Sequence, residues 1–313
     1  MSRAFVFPGQ ASQVVGMGAE LAAAFPTARE VFDEVDDALS QRLSRLMFEG
    51  PGEELILTEN AQPAIVAVSL AVVRVLERDG GFRLAEKAHF VAGHSMGEYS
   101  ALGATGALSL ADAVRLVKRR GRAMQEAVPL GEGAMAALIG LDLEAARQVA
   151  EAAAQGEVCV PANDNAPGQV VLSGHRSAVE RAVEIAAEKG ARRAVMLPVS
   201  APFHCPLMAP AAEVMAEALA EVTMPPPSLA LVANVTAAPV ADPETIRSLL
   251  VQQVTAMVRW RESVLCMKEE GVETLVELGA GKVLSGLIRR IDRELKAMAA
   301  GTPDEIEELS KVL

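Results

Sequence analysis

Cysteine is scarce in this chain: Cys159, Cys205 and Cys266 are the only three among 313 residues. An odd number cannot pair completely, and their wide spacing excludes the CxxC arrangement used by zinc and thiol-redox sites. A reducing, cytoplasmic setting is therefore expected. Positive charge is also short, with 29 Lys and Arg against 41 Asp and Glu for a net charge of −12. That balance excludes a general nucleic-acid binder, because phosphate binding needs a concentrated basic surface, and it obliges any acidic partner to meet a local cationic patch. Long apolar runs are missing too. The most apolar stretch, Ala64 to Val73, stops at Arg74, far short of the roughly 20 residues that cross a bilayer. The apolar run Ala4 to Phe7 is too short for a signal-peptide core. A soluble, unexported protein with no membrane association is the expectation. What is present is bulk: 51% hydrophobic residues over this length support a well-buried core, organised as one large domain or two ordinary ones.

The order of patterns suggests how that core is divided. Ala4 to Phe7 reads as a buried strand entering a Gly-rich loop, after which helical periodicity covers Ala19 to Phe32 and continues to Leu46. Pro63 is expected to open an apolar helix at its first turn, where a missing N–H costs little. His89 to Ala92 form a short strand, Gly93 to Gly97 a sharp turn, and Ser109-x-x-Asp112 a capping box for the next helix. Strand-turn-helix units in series predict a parallel α/β sheet. From about Ala127 the rhythm becomes strand (Ala134 to Ile139), helix (Leu143 to Ala154), strand (Val158 to Pro161), strand (Gln169 to Ser173), helix (Ala178 to Lys189), strand (Arg193 to Leu197). This βαββαβ order is ferredoxin-like, with Ser177-x-x-Glu180 as the cap of its second helix. The predicted organisation is a large domain of residues 1–126 and 199–313 with a small domain, 127–198, inserted in it. The large domain is expected to close with a strand (Glu273 to Leu278), a Gly279-Ala280-Gly281 turn and a final helix.

Gly93-His94-Ser95-Met96-Gly97 matches G-x-S-x-G between a strand and a helix. There the glycines permit a tight turn that exposes the serine oxygen while neighbouring N–H groups face an oxyanion. A nucleophilic serine needs a base, and the chain has four histidines. His94 lies inside the turn and should point away from the serine oxygen, His89 is expected to be packed on the incoming strand, and His175 belongs to a turn of the small domain. His204, in a loop stiffened by Pro202 and Pro206, remains as the candidate base. No acid stands near it in sequence.

On a helical wheel Arg120 falls within the apolar arc of Leu110, Ala113, Val117, Met124 and Ala127, whereas Arg115, Arg119 and Arg122 face the other way. A guanidinium on a packed face needs an anion, either a structural Asp or Glu or a substrate carboxylate. Phe7-Pro8-Gly9-Gln10 is placed to bring a second backbone N–H to an oxyanion. Gly279-Ala280-Gly281-Lys282 fails both nucleotide-loop patterns, since Val283 follows the lysine and Leu284 replaces the third glycine. No metal site is expected.

Taken together, FPGQ at Phe7 to Gln10, Gln62-Pro63-Ala64, GHSMGEY at Gly93 to Tyr99, Arg120-Gly121, the Phe203-His204 loop and the ELGAGKVLSGL stretch resemble the malonyl-CoA:acyl-carrier-protein transacylases of bacterial fatty-acid synthesis. The resemblance spans essentially the whole chain. It implies an α/β-hydrolase-like large domain with a ferredoxin-like insert and ping-pong transfer of malonyl through a serine ester. It also implies roles: Ser95 as nucleophile, His204 as base, the N–H groups of Gln10 and Met96 as oxyanion hole, and Arg120 as clamp on the malonyl carboxylate. The backbone carbonyl of Gln253 would orient the histidine in place of an acid; otherwise Gln253 reads as a surface helix residue. No cofactor is implied beyond the substrates malonyl-CoA and phosphopantetheinylated acyl carrier protein, and a monomer is expected. Two positions depart from the usual pattern. Ala11 stands where a glycine is common, and Phe203 precedes the base where serine is common, so that its ring should crowd an α-methyl group and favour malonyl over methylmalonyl. Arg115, Arg119 and Arg122, or Arg289, Arg290 and Arg293, are the candidate surfaces for an acidic carrier. A serine esterase or thioesterase, and a non-catalytic carrier-docking protein, are the competing readings.

Overall fold

The computed structural model describes residues 2–313. Ten strands fall into two sheets: β1 (Arg3–Phe7), β2 (Phe90–Gly93), β3 (Gly133–Ile139), β4 (Cys159–Ala166), β5 (Gln169–His175), β6 (Arg193–Met196), β7 (Ala230–Ala233), β8 (Ala238–Val240), β9 (Thr274–Leu278) and β10 (Lys296–Ala300). The larger sheet runs β10-β9-β1-β2-β7-β8. Its strands pair in parallel except at the β8 edge. Both faces are covered, which is why the central strands β1 and β9 are buried along nearly their whole length. The smaller sheet, β4-β5-β3-β6, is antiparallel throughout. With the helices Leu143–Ala154 and Arg176–Glu188 on its apolar face, it is the ferredoxin-like unit, and the whole is an α/β-hydrolase-like fold carrying that insert.

Two helices bring the site together. Thr58–Arg78 is long and apolar enough by composition to cross a bilayer, but 89% of its most apolar window is buried, chiefly against Leu110–Glu126 and Pro26–Leu39. Leu110–Glu126 starts at the expected cap, with the Asp112 N–H donating to Ser109 Oγ at 3.0 Å, a contact of about 1 kcal/mol.

Several local expectations change. The helix expected over Ala19 to Phe32 is two, Ala19–Ala24 and Pro26–Leu39, because Pro26 starts the second at its first position. Pro63 sits inside its helix rather than at the start. The Gln125 side chain accepts the Glu59 N–H at 2.9 Å, so the neighbouring helix supplies an N-terminal partner that allows an earlier start. Ser177 does not cap Arg176–Glu188; His175 holds the cap position, and Ser177 Oγ donates to the Glu157 carboxylate at 2.7 Å. His89 is exposed and lies outside β2, with Nδ1 3.4 Å from Ser2 Oγ. The chain also adds β10 and the helix Pro303–Ser310 after the expected last helix, Val283–Ile291. The β10 sequence, Lys-Ala-Met-Ala-Ala, lacks the β-branched residues that mark strands and is fixed by pairing with β9.

Candidate active site

β2 ends at Gly93, and the chain reverses into the helix Gly97–Ala104. A Cβ on Gly93 would lie 1.9 Å from the carbonyl carbon of Gly97, and one on Gly97 would lie 2.4 Å from the Phe7 carbonyl oxygen. Only glycines fit this turn, and Ser95 at its apex takes φ 52°, a left-handed conformation that holds its oxygen clear of the strand. Asn234, completely buried just after β7, clasps the turn. Its Oδ1 accepts the Ser95 N–H at 2.8 Å, and its Nδ2 donates to the Gly93 carbonyl at 2.7 Å.

Ser95 Oγ lies 2.7 Å from His204 Nε2. On its other side His204 Nδ1 is 2.9 Å from the Gln253 carbonyl. Because a carbonyl only accepts, Nδ1 carries the proton and Nε2 is left free to accept from the serine. That carbonyl is available because Gln253 ends the helix Pro243–Gln253, where the last carbonyls have no intrahelical partner. Gln253 is itself fully buried, not a surface residue. Burial, reinforced by the nearby Arg120 cation, pulls His204 down to about 3 despite the opposing Gln253 contact, so the imidazole is neutral around pH 7.

Arg120 is 1% exposed. Nη1 donates to Gln62 Oε1 at 3.0 Å, and Nη2 donates to Gln253 Oε1 at 2.9 Å and Ser95 Oγ at 3.1 Å. All three acceptors are uncharged, and Nε is without a partner. The expected alternative of a structural Asp or Glu partner is not what the fold supplies: among the described residues no ion pair reaches Arg120. The nearest buried acid is Glu98, 1% exposed, which accepts from the Asn234 N–H at 2.6 Å and from Gln253 Nε2. Gln253 Nε2 also donates to the Ser95 carbonyl at 3.0 Å.

Gln10 lies beside the start of Thr58–Arg78, its Nε2 3.4 Å from Thr58 Oγ1. The backbone N–H groups of Gln10 and Met96 have no acceptor among the described residues. Phe203 is 9% exposed and packed into the main core beside His204. His94 turns away from the serine, Nε2 meeting Asn165 Oδ1 of β4 at 2.8 Å. The first basic cluster is partly neutralised, since Arg119 pairs with Glu217 and Glu221 and Arg122 with Glu126. Arg289, Arg290 and Arg293 are exposed, with Arg290 reaching Gln169 at the start of β5.

Asn234 and Glu98 escaped the sequence reading. Asn234 looks like an ordinary strand end in Leu-Val-Ala-Asn. Glu98 carried a signal, a lone carboxylate in an otherwise uncharged helix of small and apolar residues one turn past the serine.

An elbow serine, a neutral imidazole and a buried unpaired guanidinium on an α/β-hydrolase-like fold define an acyltransferase, and the family model described as acyl transferase domain matches residues 4–303. The malonyl CoA-acyl carrier protein transacylase of Escherichia coli (strain K12) is 49% identical over 300 residues, covering 96% of each chain. The acyl-carrier-protein-S-malonyltransferase of Bartonella henselae has a crystal structure similar to this one with a TM-score of 0.98 at 56% identity, covering 100% of this chain and 99% of that one. A malonyl-transacylase solved in complex with its holo type II PKS acyl-carrier protein is similar with a TM-score of 0.96 at 43% identity, over 100% of both chains. The chain belongs to the malonyl CoA-acyl carrier protein transacylase family.

Proposed function

We propose that this protein transfers malonyl from coenzyme A to the phosphopantetheine thiol of an acyl carrier protein through an ester on Ser95. Its two halves are residues 1–126 with 199–313, which carry the nucleophile and base, and residues 127–198. His204 Nε2 removes the Ser95 proton as Oγ attacks the thioester carbonyl, and the Gln253 carbonyl stabilises the imidazolium through Nδ1–H. The N–H groups of Gln10 and Met96, which have no acceptor among the described residues, would receive the oxyanion. Collapse of the tetrahedral intermediate breaks the C–S bond, and the imidazolium returns the proton to the departing thiolate. The carrier thiol then attacks the ester by the same steps reversed. No cofactor or metal takes part in this sequence. An acidic carrier would dock on the exposed Arg289, Arg290 and Arg293, and the expected form of the protein is a cytoplasmic monomer.

The observation that carries this reading is Arg120, a buried cation whose partners among the described residues are all neutral oxygens and whose Nη2 sits 3.1 Å from Ser95 Oγ. A carboxylate on the acyl group supplies the missing anion, and an esterase has no use for such a cation. It also cancels the positive field that depresses His204, strengthening the base once the correct substrate is bound. Arg120→Ala should cost about 2–5 kcal/mol of transition-state binding for malonyl-CoA, read from the ratio of kcat/KM values, as when one member of a buried pair is deleted, while acetyl transfer holds or rises. An equal fall for both substrates, together with a lower melting temperature, would make Arg120 structural.

A further inference from the structure

Asn234 has no step in the reaction above, yet it grips the backbone of the nucleophile, and its reach follows from sheet register. β2 and β7 pair in parallel as far as Ala92 with Val232. Beyond that point β2 bends into the serine turn, so the Gly93 carbonyl and the Ser95 N–H lose the partners a continued ladder would give them. The Asn234 side chain, completely buried, presents one acceptor and one donor as a peptide group does, and it meets the two at 2.8 and 2.7 Å. Its own backbone is fixed from both sides, the N–H donating to Glu98 at 2.6 Å and the carbonyl accepting the Arg259 N–H at 3.1 Å. The side-chain amide therefore extends the β2–β7 ladder where the backbones themselves have parted.

We propose that Asn234 is a positioning residue for acyl transfer that acts through Ser95: it holds the serine in its left-handed conformation beside His204 and keeps the Ser95 N–H from turning to the oxyanion. This rests on Ser95 being the residue that is acylated. A non-glycine residue at φ 52° is disfavoured by its Cβ, so the turn needs an outside hold to keep Oγ at 2.7 Å from His204 Nε2. Asn234 supplies that hold on the peptide before Ser95. On the peptide after it, the Ser95 carbonyl accepts from the Glu98 N–H at 3.1 Å and from Gln253 Nε2 at 3.0 Å. In a trans peptide the N–H points opposite to the carbonyl. The Met96 N–H is thus turned away from both donors and, with no acceptor among the described residues, is the donor that the turn leaves free. A clasp that served folding alone would change melting without changing turnover. One that positions the nucleophile changes turnover of every acyl group alike, because Arg120 and its contacts stay in place.

The test is single-turnover acylation of Asn234→Ala by malonyl-CoA and by acetyl-CoA, followed by intact-mass spectrometry at a temperature well below the melting point of the variant. The rate constant should fall about 10²-fold for both substrates, the loss that a misplacement of about 1 Å can cause, with the malonyl-to-acetyl ratio unchanged. In a Ser95→Ala background, calorimetry should give the same malonyl-CoA affinity with and without Asn234→Ala. A folded Asn234→Ala protein that acylates at the wild-type rate overturns the proposal, and so does one that loses affinity for malonyl-CoA in place of rate. Should Asn234→Ala fail to fold, Asn234→Ser, whose shorter hydroxyl cannot span both backbone groups, is read by the same measurements and the same outcomes. Absence of an ester on Ser95 in the wild-type protein would sink the transfer reading itself, whereas an ester formed at the wild-type rate in Asn234→Ala removes only the role of Asn234.

Discussion

Two buried charges in this molecule are handled in opposite ways. At the seam between the sheets, Asp164 of β4 is 1% exposed and meets Arg261 of the helix Trp260–Glu269 at 2.8 Å. Backbone hydrogen bonds flank it, Asp164 N–H to the Val258 carbonyl at 3.0 Å and Val258 N–H to the Ala162 carbonyl at 2.8 Å. At the serine turn, Arg120 is buried as deeply and has no anion. Burying a charge is costly wherever it occurs, so a charge paired within the fold serves the fold, and one left unpaired beside Ser95 supports the proposed role of Arg120 in holding a substrate anion.

The sharpest way to break this comparison is to remove the nucleophile. Ser95→Ala should abolish the malonyl-enzyme detected by intact-mass spectrometry after mixing with malonyl-CoA, because a methyl group cannot form the ester; persistent labelling would place the acyl group elsewhere. His204→Ala should slow transfer by at least about 10²-fold, the lower range for loss of a general base. With His204 lowered to about 3, the usual histidine limb near pH 6.5 should be missing from the rate profile of acylation. The sign for stability follows from the same shift. The unfolded chain protonates this histidine below about 6.5 while the folded chain resists until about 3, so folding stability falls as pH drops through that window.

A substitution on the paired side should leave the opposite signature. Arg261→Met strands the Asp164 carboxylate and should lower unfolding stability by about 1–3 kcal/mol in urea titration, discounted for the partial exposure of Arg261. The ratio of malonyl to acetyl transfer should not move. A shift in that ratio would mean the seam and the clamp are energetically coupled.

The smallest expected effect lies at Ala11, which adopts φ 86° next to the Gln10 N–H and donates to Gln13 Oε1 at 2.8 Å. A Cβ in the left-handed region is strained, so Ala11→Gly should raise stability by about 0.5–1 kcal/mol after the entropy lost by glycine is included. Reduced stability would show that the loop tolerates the methyl group without strain.

Legibility was uneven for physical reasons. Ser95 could be read because the turn needs glycine at two fixed offsets, and Arg120 because helical periodicity places it among apolar neighbours whatever the fold. Asn234 could not be read: its contact with Ser95 joins positions 139 residues apart, and nothing in a strand end announces which loop it will clasp. Glu98 shows the intermediate case, conspicuous as a lone acid in its helix yet without assignable partners until β7 and the helix Pro243–Gln253 are in place. Pro63 and Ser177 misled because local capping preferences were overridden by Gln125 and Glu157, side chains brought in by tertiary contact.

By itself the sequence determined the order of elements through most of the chain, the turn that exposes Ser95 and the burial of Arg120, since these depend on periodicity and backbone sterics within a few residues. Tertiary structure alone decided what each buried polar group would meet. It gave Asp164 a partner in Arg261 while Arg120 received no anion, and it joined Asn234 to the Ser95 turn. Such pairings depend on distances between segments far apart in the chain, and desolvation raises their cost or benefit only after those segments have closed around them.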